Sequence, residues 1–275
     1  AEIDLLKGYS HREAIAGILE EAMDDCVLSC LVYDKKSDIF RLHASVFAEQ
    51  ELWEWVCSVF VAAAAAQLVD SQKIIRAVEK LFQPVKASTA HPQSGLRMDT
   101  DPRTSESLSP FAAAGGPRSR WAVADEWHRV DWALERQAAA FQPSNKRSSL
   151  SRFYWAPDPH RAIDLFVTCD EPHHSLGNGL HFTLTIPLDI STRHIAHMAL
   201  ELNEYERANW LNTHLLGSWC NHNNSLAFRL FVPNALYKEG LLEGLAITMA
   251  TRAVWANEYF AALKTEADRC KQSNA

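Results

Sequence analysis

At 275 residues the chain is long enough for one large domain or two ordinary ones, and either buries a sizeable core without disulfide or metal staples. Hydrophobic residues make up 47% and charged residues 22%, which excludes wholesale disorder and fibrous structure. A formal net charge of -7 and a pI near 5.9 give no general attraction to nucleic-acid phosphates or anionic lipid, so neither nucleic acid nor membrane is an expected partner.

From Ser10 to Asp24, Ile15, Ile18, Leu19 and Ala22 recur at spacings of three and four, and Ser10 with Glu13 forms a capping box; this predicts an opening helix. Leu28, Cys30 and Val32 then alternate with Ser29, Leu31 and Tyr33. After the turn residues Asp34 to Asp38 the alternation resumes at Phe40, Leu42, Ala44 and Val46, so a hairpin with one buried face is expected. Glu49 to about Ser71 is rich in helix formers. Trp53, Trp55, Val56, Val59, Phe60 and the run Ala62 to Ala66 spread apolar surface around most of that cylinder, which therefore requires cover on two sides. A second helical stretch, Gln72 to Phe82, precedes Pro84. The longest apolar run, Val56 to Val69, falls short of the roughly 20 residues of a membrane span and is interrupted by Ser58 and Gln67, so it reads as a buried helix.

Between Lys86 and Pro117 the composition turns to Ser, Thr, Pro, Gly and Asp, and Pro92, Gly95, Pro102, Pro110, Gly115, Gly116 and Pro117 break any regular pattern. Residues 89–117 are accordingly expected to link an N-terminal helix-hairpin-helix unit, 1–88, to a C-terminal unit, 118–265, with a tail at 266–275. Trp121 to Val130 fits a weak strand and a short helix equally. Ile163, Leu165, Val167 and Cys169 share one parity, and Leu180, Phe182, Leu184, Ile186 and Leu188 share another across the turn Gly177-Asn178-Gly179, which predicts an antiparallel pair. A helix from Ser191 to about Asn209 turns Ile195, Met198, Ala199 and Leu202 inward. Leu215 to Trp219 and Leu226 to Val232 flank Asn221-His222-Asn223-Asn224 as a second hairpin. A final helix runs from about Ala235 to Leu263, with Leu241, Leu245, Thr248, Met249, Arg252 and Trp255 near one side.

An internal echo links the halves: Ile39-Phe40-Arg41-Leu42 ahead of one long helix, and Ala227-Phe228-Arg229-Leu230 ahead of another. The fold class read from this pattern is α+β, two tandem units of antiparallel sheet packed against helices. Leu200-Glu201-Leu202-Asn203-Glu204, then a hairpin, then Leu226 to Pro233 and a long helix, resembles the YbjN-type domain, which is similar in fold to type III secretion chaperones. The likeness covers residues 190–260 well and 10–70 more loosely. The stretches His91 to Arg97, Asp170 to His173, Leu176 to Leu180 and His214 to Cys220 further resemble an actinobacterial group with tandem domains of this type. In such families a helix ending in Leu-Asn leads to an antiparallel sheet and then to a helix packed across it. The resemblance implies binding of a polypeptide partner or a chaperone-like task, and carries over no catalytic residue.

His194, His197 and Glu201 share one helix face at i, i+3 and i+7, a spacing that suits zinc and equally suits a solvated face. His173 and His174 beside Asp170 and Glu171 read as turn residues. Cys220 and His222 are close in sequence, but His222 belongs to a turn and no G-x-S-x-G elbow occurs. Neither phosphate-binding glycine motif is present. Cys26 and Cys30 form a lone C-x3-C without a second pair, and the six scattered cysteines, with no leader in front of them, suggest reduced thiols in a cytoplasm. Lys146, Arg147 and Arg152 beside Phe153, Tyr154 and Trp155 read as a strand entering the core rather than a single-strand binding face. The expected function is a non-enzymatic protein-binding or chaperone-like module without cofactor, acting on a polypeptide or on itself, with Trp53, Trp55, Phe60 and Trp255 as candidate partner surface. The competing expectation is a metal-dependent or thiol-based hydrolase built on His194, His197 and Glu201 or on Cys220 and His222.

Overall fold

The computed structural model describes residues 1–8, 17, 28–46, 50–82, 85–88, 91–98, 102–114, 116–142, 147–209 and 216–273. Apart from Gly17, the opening helix expected at Ser10 to Asp24, and with it Cys26, lies outside the described residues, as do Lys146 and His214.

The first sheet is antiparallel and combines β1 (Glu2–Lys7), β2 (Cys30–Asp34), β3 (Ile39–His43) and β4 (Gly95–Leu96) in the order β2-β3-β1-β4. Its hairpin turn is held by Asp34, whose carboxylate accepts from the Lys36 and Ser37 amides and the Ser37 hydroxyl, while Asp38 takes φ 55. The register of β1 slips between Asp4 and Leu6, a bulge that turns the consecutive Leu5 and Leu6 both inward. A strict alternation was therefore never present in β1 to be read. One face of this sheet packs Leu5, Leu6, Phe40 and Leu42 against Ile74, Ile75 and Val78 of α1 (Trp53–Phe82).

The helical stretches expected at Glu49 to Ser71 and Gln72 to Phe82 are one continuous α1, led in by a 3-10 turn at Gln50–Leu52. Asp70, Ser71 and Gln72 are polar but buried, so the polar interval that suggested a break is part of the packed helix. Within the described residues, Gln50–Leu81 is a helical segment long and apolar enough to cross a membrane, its most apolar 18-residue window having mean hydropathy 1.6. Its inner residues Trp55, Val59, Ala62 and Ala66 are nonetheless built into the protein core.

The described parts of the stretch expected to be a linker pack against both sheets. β4 closes on β1, Leu96 donates to Val85 O and Ala87 to Leu96 O, and a Cβ on Gly95 would come within 2.0 Å of Val85 O. A 3-10 helix at Pro102–Leu108 and α2 (Ser109–Ala114) follow, and Leu108 is buried in the large core. Glycine and proline erased the periodicity here, while neighbouring strands supplied the backbone partners.

The second sheet contains β5 (Ala140–Gln142), β6 (Ser148–Tyr154), β7 (Ala162–Thr168), β8 (Gly179–Ile186), β9 (Ser218–His222) and β10 (Ser225–Pro233) in the order β5-β6-β7-β8-β10-β9, antiparallel throughout. Trp121 to Val130, undecided in sequence, leads into α3 (Ala124–Glu135). The helix α4 (Thr192–Asn209) joins β8 to β9, and Asn223 and Asn224 take φ 52 and 60 in the β9–β10 turn. The expected final helix divides: Asn234–Leu236 is a 3-10 turn, and α5 (Leu241–Ser273) starts after Gly240, φ +86, and continues through most of the expected tail.

Both sheets carry the same unit of topology. β1, β3 and β2 stand in the order that β8, β10 and β9 repeat, each set followed by its long helix. Arg41 and Arg229 of the echo occupy the central strand in each, Arg41 opposite Asp4 and Val32, Arg229 opposite Thr183 and Ser218. The fold is therefore α+β with two antiparallel sheet units packed against helices. The two units do not have separate cores: Cys30, Val32, Trp55 and Val59 belong to the large core of the second sheet, and Leu200 and Cys220 belong to that of the first.

Candidate functional site

Of the four expected surface aromatics, two are on the surface. Trp53 and Phe60 are 58% and 56% exposed. Trp55, two residues on, points some 200° around the helix and is buried, its Nε1 donating to Leu236 O at 2.9 Å. Trp255 is half-buried, because it packs between Tyr205, Trp219 and Tyr259 at centroid distances of 5.6, 6.3 and 5.5 Å. Both are corrections to the expected surface: α4 and the C-terminal turn after β10 cover what the sequence left open. The outward face of α1 instead adds Cys57 and Val61 to Trp53 and Phe60, at spacings of four, seven and eight residues, an apolar stripe along one side of the helix.

Beside this stripe lies a groove of about 390 Å³ between α1 and the end of β3. Its walls are apolar, with Val46, Val56, Val59, Phe60 and Leu216 among them, and Glu2 and His43 stand at its polar end. His43 Nδ1 is 2.7 Å from Glu2 Oε1. Burial lowers the His43 pKa below its usual value despite the favourable carboxylate, so the ring is neutral at pH 7 and Nδ1–H donates to Glu2. Burial acts to raise the Glu2 pKa, but the bond from His43 and the charges of Arg41 and Arg207 outweigh it and hold the carboxyl below the ordinary range. Arg41 is shared by three carboxylates, Glu2 at 3.5 Å, Asp4 at 3.3 Å and Asp34 at 3.6 Å, and the Ala1 ammonium, which donates to Ala44 O at 2.9 Å, lines the same end of the groove. Cys30 lies opposite His43 in the sheet, yet burial drives its thiol pKa far up and its Sγ donates to the His43 carbonyl, so it is a packed thiol and not a nucleophile.

The other expected clusters are held by local bonds. His194 Nδ1 pairs with the Ser191 hydroxyl at 2.7 Å at the start of α4, and His197 Nε2 with Glu201 Oε1 at 3.4 Å. Among the described residues no group of three His, Cys, Asp or Glu side chains is placed to hold a metal ion. Cys220 is packed in the smaller apolar core, while His222 sits half-exposed at the turn beside Asn223. His173 accepts from the Ser175 and Leu176 amides and stacks on Phe231, which organises the loop before β8. Arg147 and Arg152 pair with Asp170 and Asp164, and β6 alternates Phe153 inward with Tyr154 outward.

A buried polar joint, invisible as such in sequence, fixes the frame around the groove. Asn203 of α4 donates from Nδ2 to Leu31 O and Trp219 O, each at 3.1 Å, and accepts from Trp219 N at 2.9 Å, so one side chain clips β2 of the first sheet to β9 of the second. One turn on, Glu206 accepts a forked bond from Arg252 and another from Trp219 Nε1 at 2.6 Å, with both partners of the ion pair 2% exposed. The Arg252 guanidinium lies 3.8 Å from the Phe228 ring centroid. The signal available in sequence was Asn203 and Glu206 on the inward side of an amphipathic helix, where polar residues require buried partners. No protein-family model, curated protein or solved structure matches this chain.

Proposed function

We propose that the protein is a non-enzymatic polypeptide-binding or chaperone-like module, and that its contact surface is the outward stripe of α1 with the groove beside it. The observation that carries this reading is the exposure of Trp53, Phe60 and Val61, 58%, 56% and 57%, on a helix whose opposite side is fully packed. Contiguous apolar surface left in water costs roughly 25 cal/mol for each Å² and marks a site that another chain covers. The order of elements supports the same reading: Leu202-Asn203 near the end of α4, the β9–β10 hairpin, then α5 across the sheet is the sequence of parts that the YbjN-type and type III secretion chaperone-like resemblance implies. A cytoplasmic setting is proposed with it, supported by the free thiols Cys30, Cys57 and Cys169.

Light scattering from a heat-aggregating reporter protein tests the proposal. The wild-type chain is expected to suppress aggregation, and Trp53→Asp with Phe60→Asp is expected to remove the suppression while circular dichroism stays unchanged. Equal suppression by the doubly substituted chain, or none by the wild type, sinks it.

A further inference from the structure

Three histidines meet where the loop between β7 and β8 lies against α1 of the first unit. His173 Nδ1 accepts from the Ser175 and Leu176 amides, each at 3.2 Å, and the His173 main chain exchanges bonds of 2.8 and 2.9 Å with Gly177. The His174 ring lies 4.4 Å from that of His173, and its Nε2 is 3.4 Å from the Lys73 ammonium of α1. His181 of β8 donates from Nε2 to Glu171 O at 2.9 Å. His181 and His173 both pack on the Phe231 ring, at centroid distances of 4.4 and 5.1 Å. The loop in turn holds the connection between the units. Leu176 is 2% exposed in the large core, Asn178 Nδ2 donates to Gly116 O at 2.9 Å, and a Cβ on Gly177 would come within 3.3 Å of Ala112 O in α2.

A ring nitrogen that accepts two amide hydrogens has no room for a proton of its own. Protonating His173 at Nδ1 breaks both bonds, and protonating His174 turns its Nε2 into a donor aimed at an ammonium. The cluster is faced by Lys73 from α1, Arg229 from β10 and Glu171 of the loop itself, while Asp170 is held by Arg147 at 3.7 Å. Burial, with Arg229 adding to it, lowers the His181 pKa although the bond to Glu171 O opposes the shift. We propose that this cluster is an acid-released latch: with His173 neutral the β7–β8 loop is closed on α1 and on the connection between the units, and protonation of His173 and His174 opens it, uncovering Leu176 and Phe231. Stacking on Phe231 accommodates a neutral or a charged ring, whereas the two amide bonds exist only with the neutral one. The sign of the response is therefore fixed, closed near neutrality and open in acid. It does not depend on what the stripe of α1 binds.

Hydrogen exchange of the full chain, read by mass spectrometry and corrected for the intrinsic rate at each pH, tests the latch. Between about pH 7 and about pH 5 the protection of the peptide covering residues 170–178 is expected to fall by up to roughly tenfold per pH unit, the slope of one linked proton. Peptides from β7 and β10 are expected to keep theirs over the same range. His173→Asn retains a side-chain acceptor for the amides two and three residues on, and it does not titrate. That variant is expected to hold the loop protected at the acid end. Lys73→Met is expected to move the opening to lower pH, because a charged His174 then meets no ammonium. Equal protection of the wild-type loop at both ends of the range overturns the proposal, and so does a His173→Asn loop that opens at the wild-type pH. Protection lost in step across the loop, β7 and β10 overturns it as well, since the whole chain is then unfolding in acid. If His173→Asn does not fold, the wild-type series and Lys73→Met decide, and an opening that Lys73→Met leaves unmoved counts against the latch.

Discussion

Asn203 is 1% exposed, and its amide bonds main-chain atoms that belong to different sheets. Removing it strands the Trp219 amide hydrogen and takes the Asn203 bond from the Leu31 carbonyl, while Trp219 O keeps the Ser218 hydroxyl at 3.0 Å, and each buried orphan costs about 1–3 kcal/mol. Asn203→Ala is therefore expected to lower stability by about 2–4 kcal/mol in urea unfolding, far more than alanine at an exposed asparagine such as Asn209. His43 makes a different prediction. Burial depresses its folded pKa below the unfolded value of 6.5, so between those two pH values the unfolded chain binds more protons. The contribution is fully present above 6.5 and is lost as pH falls toward the folded pKa. His181, lowered chiefly by burial, adds the same sign. The urea midpoint should fall between about pH 7 and about pH 5.5, and His43→Gln should flatten that slope. A midpoint that rises on acidification contradicts the assignment of a buried neutral ring.

Among the elements, α1 carries both structure and the proposed contact. Its inner side, Trp55, Val59, Ala62 and Ala66, joins the large core, while Ile74, Ile75 and Val78 further along cover the first sheet. Its outer side near the start is bare. The expectation that apolar surface around most of this helix demands cover on two sides is met by two different sheets along its length, and the remaining apolar stripe is what the proposed partner covers. Two tryptophans on this one helix separate the roles. Trp55→Ala should cost about 3–5 kcal/mol through a cavity and a stranded Leu236 carbonyl, whereas Trp53→Ala should change stability by no more than about 0.5 kcal/mol and weaken binding instead. Similar losses of stability at both positions would refute the division.

At the scale of the whole molecule the units are alike in topology but share their packing. Trp55 and Val32 from the first unit lie in the core of the second, and α4 of the second packs on β2 of the first through Asn203. A fragment of residues 118–273 would expose the surface on which Trp55, Val59 and Val32 now sit. Expressed alone, it is expected to bind a hydrophobic dye and to unfold with poor cooperativity, whereas the full chain unfolds in one transition. A fragment with a sharp melt near that of the full chain would show that the second unit is self-sufficient.

Periodicity alone specified much of the architecture: the β2–β3 hairpin, the β7–β8 and β9–β10 pairs, α4, and the long helices all follow from spacings of two and of three to four, since burying one face of an element is a local demand on sequence. The echo at Phe40-Arg41-Leu42 and Phe228-Arg229-Leu230 likewise located equivalent central strands. Where a bulge paired Leu5 with Leu6, or where glycine and proline filled the approach to β4, the local signal was absent although the strand was not. Which aromatic residues stay exposed could not be read in advance. Trp53 and Trp55 have the same chemistry, and only the seating of α1 against the second sheet sends one into the core and leaves the other in water. The groove has the same origin, because Glu2, His43, Phe60 and Leu216 come from four separate parts of the chain and meet only when the two sheets close around α4.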